Sequence, residues 1–235
     1  MGEDYHKLFL TDFAPYMTKI KASGADVIFT GNWGTDATNL LRQAREMGIK
    51  IPLAHIFISG PDALNALGVE ATKNLVQSSC YTNGNPTFKT PDMAKFRNLM
   101  LKLHKTFKPP YNTRTYEQGW DPLTMHVYWL LSVIERAKST NPEKIIQVWE
   151  GDTYQFVYGH KATMRACDHN TIQDIHVMEF APPDQQRVAY NIPPYYWSKE
   201  YSFWGKAWKI PAARVLPWMD PKLKRCQGKN PGSAR

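Results

Sequence analysis

The sequence has no long hydrophobic run. No segment reaches the roughly 18 uninterrupted apolar residues that a membrane helix needs. Residues 1–6 have neither a basic n-region nor an apolar core, so they do not form a signal peptide. We therefore expect no transmembrane helix, and a secretory leader, if the protein has one, would lie upstream of Met1.

The sequence also lacks the short motifs that carry most enzyme chemistry. It contains no Walker A motif, no G-x-G-x-x-G after a strand, no G-x-S-x-G and no Ser-x-x-Lys. His160, His169 and His176 match no spacing of metal ligands, and surface or turn positions are the default for them. We predict that the protein is not an enzyme and that it has no metal and no cofactor.

Cysteine is scarce, and basic residues outnumber acidic ones. The three cysteines form no CxxC pair, and an odd number allows one disulfide and one thiol without saying which residues pair. The net charge is +8, but Lys and Arg are spread along the chain and no nucleic-acid-binding motif accompanies them. We expect a solvated basic surface and no nucleic-acid partner.

Helix and strand patterns alternate over the first ninety residues. Apolar residues recur at helical spacing in some segments, and short β-branched runs between glycines are typical of buried parallel strands. The patterns predict helices at 13–22 (capped by Asp12), 37–47 (capped by Thr35 or Asp36) and 61–67, and strands at 26–30, 51–57 and 72–77. This order favours an α/β fold, a parallel sheet with flanking helices.

The later part of the chain is helical before it returns to strands. Amphipathic helices are predicted at 91–107, 116–138 and 142–150, and strands at 163–166 and 175–180. With no strand between them, the helices must bury their apolar faces against a sheet supplied elsewhere. Residues 183–235 are rich in Pro, Trp and Tyr, and we predict an extended arm held by aromatic anchors such as Trp208 and Trp218.

Ligands of open parallel sheets bind beyond the carboxyl ends of the strands. Residues 31–36 form a loop of this kind, with Asn32, Trp33 and Thr35 beside the start of a helix. A second loop follows the strand that carries His55 and Phe57. The alternative is that Trp33 simply covers the edge of the sheet.

Residues 12–34 and 40–48, and the run Met-Arg-Ala-Cys-Asp-His-Asn at 164–170, resemble the type I periplasmic binding proteins of the branched-chain amino acid and amide ABC transporter group. The resemblance implies two α/β lobes of which the first is incomplete. Residues 1–82 would form most of the second lobe, 83–172 the late first lobe, 173–182 a strand returning to the second lobe, and 183–235 the C-terminal arm. An upstream segment or a partner chain would supply the missing sheet.

The resemblance also implies a function, which is periplasmic capture of a small organic solute between two lobes and its delivery to an ABC permease. In leucine-type members, an acidic residue binds the ligand's ammonium, and ungapped spacing places Phe57 at that position. An apolar or aromatic acid, an amide, or a ligand with a differently placed charge would fit better than an ordinary amino acid. Tyr116 and Glu117 would contact the solute from the opposite lobe.

The basic tail around Cys226 is similar to that of several members, which implies a disulfide between Cys167 and Cys226. Two alternative functions stay open: a sensory or regulatory module, and a truncated binding-protein fold recruited as a structural subunit of a larger assembly.

Overall fold

A computed structural model describes residues 2–56, 67–79, 102, 106, 122–156, 161–182 and 204–234. The predicted helices at 61–67 and 91–107 lie wholly or largely outside these ranges. Phe57, Tyr116 and Glu117, three of the predicted solute contacts, also lie outside them. Within the described ranges, no helix is both long and apolar enough to cross a membrane.

The described residues form four α-helices and two sheets. The helices are α1 (Ala14–Ser23), α2 (Gly34–Glu46), α3 (Pro122–Ala137) and α4 (Pro142–Trp149). The strands are β1 (Ile28–Thr30), β2 (Leu53–His55), β3 (Leu75–Ser79), β4 (Thr153–Gln155), β5 (Lys161–Met164), β6 (Thr171–Gln173), β7 (Ile175–Phe180) and β8 (Trp204–Ile210). The larger sheet has the order β1-β2-β3-β7-β8, and the smaller one the order β4-β5-β6.

The larger sheet is mixed in direction, whereas the sequence predicted a parallel sheet. β1, β2 and β3 are parallel to one another, and α2 connects the first two. β7 pairs antiparallel with β3, and β8 pairs antiparallel with β7. The antiparallel half is therefore built from the part of the chain that returns to this sheet after residues 80–174.

One face of the parallel strands is in the core and the other is open. Ile28, Leu53 and Leu75 lie side by side in the register, and all three are buried together with residues of α1 and α2. Side chains alternate between the faces of a strand, and Phe29, the neighbour of Ile28, is 72% exposed. Parallel sheets are normally covered on both faces, so this surface lacks its covering layer in the described residues.

The starts of α1 and α2 differ from the predicted caps. The N-cap of α1 is Phe13 rather than Asp12, although the Asp12 carboxylate still accepts the Ala14 N–H at 3.0 Å. The N-cap of α2 is Trp33, so Thr35 and Asp36 lie inside the first turn. Composition favoured the residues that usually cap helices, but the chain turns into α2 earlier, at Gly34.

α3 buries one face and exposes another. Met125, Trp129 and Val133 recur every fourth residue and are buried in the core. Val127 and Leu131, also four residues apart, are 49% and 56% exposed. The helix thus carries a second apolar stripe that the described residues leave uncovered.

The C-terminal arm is partly a strand of the larger sheet. β8 lies within residues 183–235, which were predicted as an extended arm, and it adds the edge strand beside β7. Trp208 and Trp218 are 45% and 75% exposed, so neither indole is buried in the core. Hydrogen bonds to main-chain carbonyls and a disulfide hold the arm, as described below.

Candidate functional site

The loop between β1 and α2 presents an aromatic surface at the carboxyl edge of the parallel strands. Trp33 is 55% exposed, and Thr35 is also exposed. Trp33 has an extended backbone, and Gly34 follows with φ of 57°, a left-handed conformation that strains other residues. This turn sends the chain into α2 directly behind the indole ring.

Among the residues that the structure describes, no side chain caps the first turn of α2. Trp33 occupies the N-cap position and provides no side-chain acceptor for the first N–H groups. The Asp36 Oδ2 accepts the Phe9 N–H at 2.9 Å, while its Oδ1 has no hydrogen-bond partner among the described residues. The positive end of the helix therefore lies beside Trp33 with backbone donors available to an anionic or carbonyl group.

Asn32 is held by the protein on both ends of its amide. Its Oδ1 accepts the Thr30 hydroxyl at 2.7 Å, and its backbone N–H donates to the same Thr30 oxygen at 3.1 Å. Its Nδ2 lies 2.8 Å from the Nε2 of His6, which sequence reasoning missed. No sequence pattern joins residues so far apart. Asn32 thus fixes the loop, and the exposed surface is left to Trp33 and Thr35.

His55, predicted as a solute contact, lies in the core. It ends β2 and is 1% exposed, with its ring centroid 6.4 Å from that of Phe180. Burial lowers its pKa to about 3, so the imidazole is neutral at physiological pH. The structure therefore does not bring His55 to the surface on which Trp33 lies. Residues 57–66, which follow β2 in the sequence, are outside the described ranges.

A second cluster of polar groups joins the smaller sheet to the C-terminal arm. Arg165 is 1% exposed and pairs with the buried Asp168 through two bonds of 2.8 and 2.5 Å. Its remaining N–H groups donate to the carbonyls of Pro217, Trp218 and Pro231 at 3.0, 3.0 and 2.8 Å. All five guanidinium N–H groups thus have acceptors, three of them on the arm.

The disulfide implied by the resemblance is present beside this cluster. Cys167 and Cys226 are bonded, with Cα atoms 5.0 Å apart. Glu150 accepts hydrogen bonds from His169 and Arg225, which lower its pKa. Glu150, Cys167 and Arg225 line an open cavity of ≈ 280 Å³. Its lining residues are Gln147, Glu150, Ala166, Cys167, Arg225 and Lys229.

This cluster does not fit a metal ion. Cys167, Asp168 and Cys226 place potential ligand atoms within 4.8 Å of one another. Both sulfurs are already joined to each other, and the carboxylate is bonded to Arg165. A disulfide sulfur is not the thiolate that metals bind, so the cluster is a structural clasp for the arm.

Comparison with known proteins agrees with this architecture. Leu/Ile/Val-binding protein homolog 4 of Brucella abortus (strain 2308) is 35% identical over 69 residues, which are 29% of this chain and 17% of that protein. A leucine-, isoleucine-, valine-, threonine- and alanine-binding protein from Brucella ovis, in a closed conformation, has a TM-score of 0.65 at 21% identity. It matches 95% of this chain and 52% of its own.

A solute-binding protein of an ABC transporter from Rhodopseudomonas palustris HaA2, in complex with p-hydroxybenzoic acid, has a TM-score of 0.60 at 22% identity. That match covers 74% of this chain and 46% of the other. The chain thus spans about half the length of these solved structures and less of the curated relative. The sequence pattern of the family described as periplasmic binding protein matches residues 1–186 of 235. The chain belongs to the periplasmic binding protein family.

Proposed function

We propose that the chain is part of an extracytoplasmic, periplasmic solute-binding protein that captures a small organic molecule for an ABC permease and catalyses no reaction. The observation that carries the proposal is the exposed Trp33 beside the uncapped start of α2. An aromatic surface next to backbone donors, at the carboxyl edge of parallel strands, suits a small ligand with an acceptor group.

The proposed solute is an apolar or aromatic carboxylate, or an amide, in preference to an ordinary amino acid. A carboxylate would accept from the backbone N–H groups at the start of α2, and an aromatic ring would stack on Trp33. By the family spacing, Phe57 stands where leucine-type members have an acidic residue, so an ammonium would lack its partner. The p-hydroxybenzoic acid bound by one structural relative belongs to the favoured class.

The proposal requires a second wall for the site, contributed by a first lobe that this chain holds only in part. Residues 1–82 and 173–182 would form the second lobe, and residues 83–172 the end of the first, with Tyr116 and Glu117 facing the solute. The uncovered stripe of Val127 and Leu131 on α3 supports a missing layer, from an upstream segment or a partner chain. The match to only about half the length of the solved relatives also supports a missing layer.

A second candidate function is a structural or sensory subunit of a larger assembly. The same α3 stripe favours it, because an apolar surface of this kind also suits a permanent protein contact. Solute binding separates the transport role from the structural one, since a structural subunit needs no solute affinity, whereas a sensory subunit would also bind a solute.

The test is isothermal titration of the full-length protein with L-leucine, benzamide and 4-hydroxybenzoate. We expect binding of 4-hydroxybenzoate or benzamide, weakened roughly 30-fold or more by Trp33→Ala if the indole is a central contact. Trp218→Ala is the matched control, because Trp218 is 75% exposed and lies outside the β1–α2 loop. No binding of any of the three compounds, or turnover of one of them, would contradict the proposal.

A further inference from the structure

The N-terminal arm, residues 2–12, is bonded to the elements that carry the candidate site. Phe9 donates its N–H to Asp36 at the start of α2. The Gln43 side chain of α2 donates to the Thr11 carbonyl at 2.7 Å. His6 reaches the amide of Asn32, in the loop that presents Trp33. The arm therefore supports the loop that connects β1 to α2, although it belongs to neither of these elements.

The partners of His6 fix which ring nitrogen carries the proton. The Nδ1 lies 2.8 Å from the Lys7 carbonyl, which only accepts, so Nδ1–H donates. The Nε2 lies 2.8 Å from the Asn32 Nδ2, which only donates, so Nε2 accepts. Each bond assigns the same neutral tautomer.

The orientation of the Asn32 amide is fixed at its other end. The Thr30 oxygen accepts the backbone N–H of Asn32, and its own hydroxyl donates to the Asn32 Oδ1. Turning the amide over would leave this hydroxyl, on a residue that is only 7% exposed, without its acceptor. The donors and acceptors in the hydrogen bonds from Thr30 through Asn32 to His6 can therefore be assigned in only one favourable way.

We propose that His6 is a positioning residue of the solute site, whose unprotonated Nε2 holds the Asn32 amide and with it the loop that presents Trp33. The importance of His6 for solute capture rests on the proposed function. The tautomer of His6 and the order of the loop do not depend on that function. A protonated His6 has N–H groups at both nitrogens, so a donor would then face the Asn32 donor. Acid would therefore release the loop.

Two aromatic rings pack edge-on against the ring of His6, which is partly buried. Its centroid lies 4.9 Å from that of Phe13 and 6.0 Å from that of Tyr16, both in edge-on geometry. The titratable groups on the surrounding elements are Glu3, Asp4, Tyr5, Lys7 and Asp12 of the arm, Tyr16, Lys19 and Lys21 of α1, and Asp36, Arg42, Arg45 and Glu46 of α2. Within the described ranges, none of these side chains bonds to a ring nitrogen, so the Asn32 amide is the group that senses protonation.

The first test is long-range ¹⁵N–¹H NMR of the chain at neutral pH, followed by a titration to acid pH. We expect a pyridine-like Nε2 and a pyrrole-like Nδ1 for His6. The side-chain amide of Asn32 and the indole N–H of Trp33 should shift with the same midpoint as the His6 ring. A proton on Nε2 at neutral pH, or a Trp33 signal that ignores the His6 titration, would refute the proposal without any solute.

Variants separate positioning from packing. His6→Phe keeps a ring against Phe13 but removes Nε2. We expect amide hydrogen exchange at Asn32 and Trp33 to rise roughly twofold to tenfold, the effect of losing one hydrogen bond. His6→Gln retains an acceptor that does not titrate, so it should restore most of the protection and abolish the pH dependence. His169→Asn, at a histidine bonded to Glu150, is the control and should change neither property. If amide hydrogen exchange at Asn32 and Trp33 is unchanged in His6→Phe, the ring acts only through packing and the proposal is refuted.

Discussion

The sharpest prediction concerns the guanidinium of Arg165, which holds the C-terminal arm. Arg165→Met keeps much of the side-chain volume but removes the two bonds to Asp168 and the three bonds to the carbonyls of Pro217, Trp218 and Pro231. The carboxylate of Asp168, 5% exposed, would be left in the protein without its cation. The arm would lose three of its main-chain contacts in a single substitution.

The magnitude follows from the burial of the pair. Removing one partner of a buried ion pair costs about 3–5 kcal/mol, because the other charge stays desolvated. The hydrogen bonds from Arg165 hold the pKa of Asp168 well below its usual range, so the carboxylate is charged at neutral pH. For Arg165→Lys we expect a smaller loss of about 2 kcal/mol, because an ammonium has three N–H groups for five acceptor contacts.

The assay is urea unfolding followed by circular dichroism, combined with limited proteolysis within residues 204–234. Asp168→Asn, made alone and together with Arg165→Met, completes a double-mutant cycle, and we expect a coupling free energy of about 2 kcal/mol or more. Arg42→Met is the control, because its ion pair with Glu46 is exposed and is worth at most about 0.5 kcal/mol. A loss below about 1 kcal/mol in Arg165→Met, with no faster cleavage of the arm, would refute the reasoning.

Three further predictions follow from the described residues. Replacing both Cys167 and Cys226 by Ala should lower the free energy of unfolding by about 4 kcal/mol for a sequence separation of 59 residues, and reductant should lower it equally in the wild type but not in the variant. His55 has a folded-state pKa of about 3, so the unfolded state alone binds a proton as the pH falls below about 6.5, and stability should drop by about 2 kcal/mol at pH 5. His55→Gln should flatten this part of the pH–stability curve measured by urea unfolding, and an unchanged curve would contradict the assignment. Leu131→Asp, on the exposed stripe of α3, should change the stability of the chain by at most about 0.5 kcal/mol, whereas Val133→Asp, in the core, should cost more than about 3 kcal/mol by thermal unfolding.

Local patterns were enough to predict much of the larger sheet. β1 and β2 lie within their predicted segments, and α4 and β7 match their predicted limits to within one residue. Each is marked by its own composition, a β-branched run or an amphipathic repeat with a cap such as Asn141. β8 was missed because its strand character depends on pairing with β7, about thirty residues earlier. β5 was predicted two residues late, and β4 and β6 are too short to give a clear alternation.

The candidate site was predictable in position and less so in detail. The rule that ligands lie beyond the carboxyl ends of parallel strands pointed to Trp33, which is indeed exposed. The same rule selected His55, but the alternation of side chains along β2 turns that ring into the core. The contact between His6 and Asn32 joins residues 26 positions apart, and no local pattern specifies it.

The arm's attachment has a consequence for the order in which the molecule can be completed. Arg165 and β7 are synthesised well before their partners, and the carbonyl of Ala234 accepts the Ala166 N–H at 2.9 Å. A nascent chain lacks these acceptors, as well as Cys226, until residues 204–234 have been synthesised. The turn around Arg165 and the outer edge of β7 can therefore reach their final state only after residues 204–234 have been synthesised, and loss of Ala234 would remove the acceptor of the Ala166 N–H.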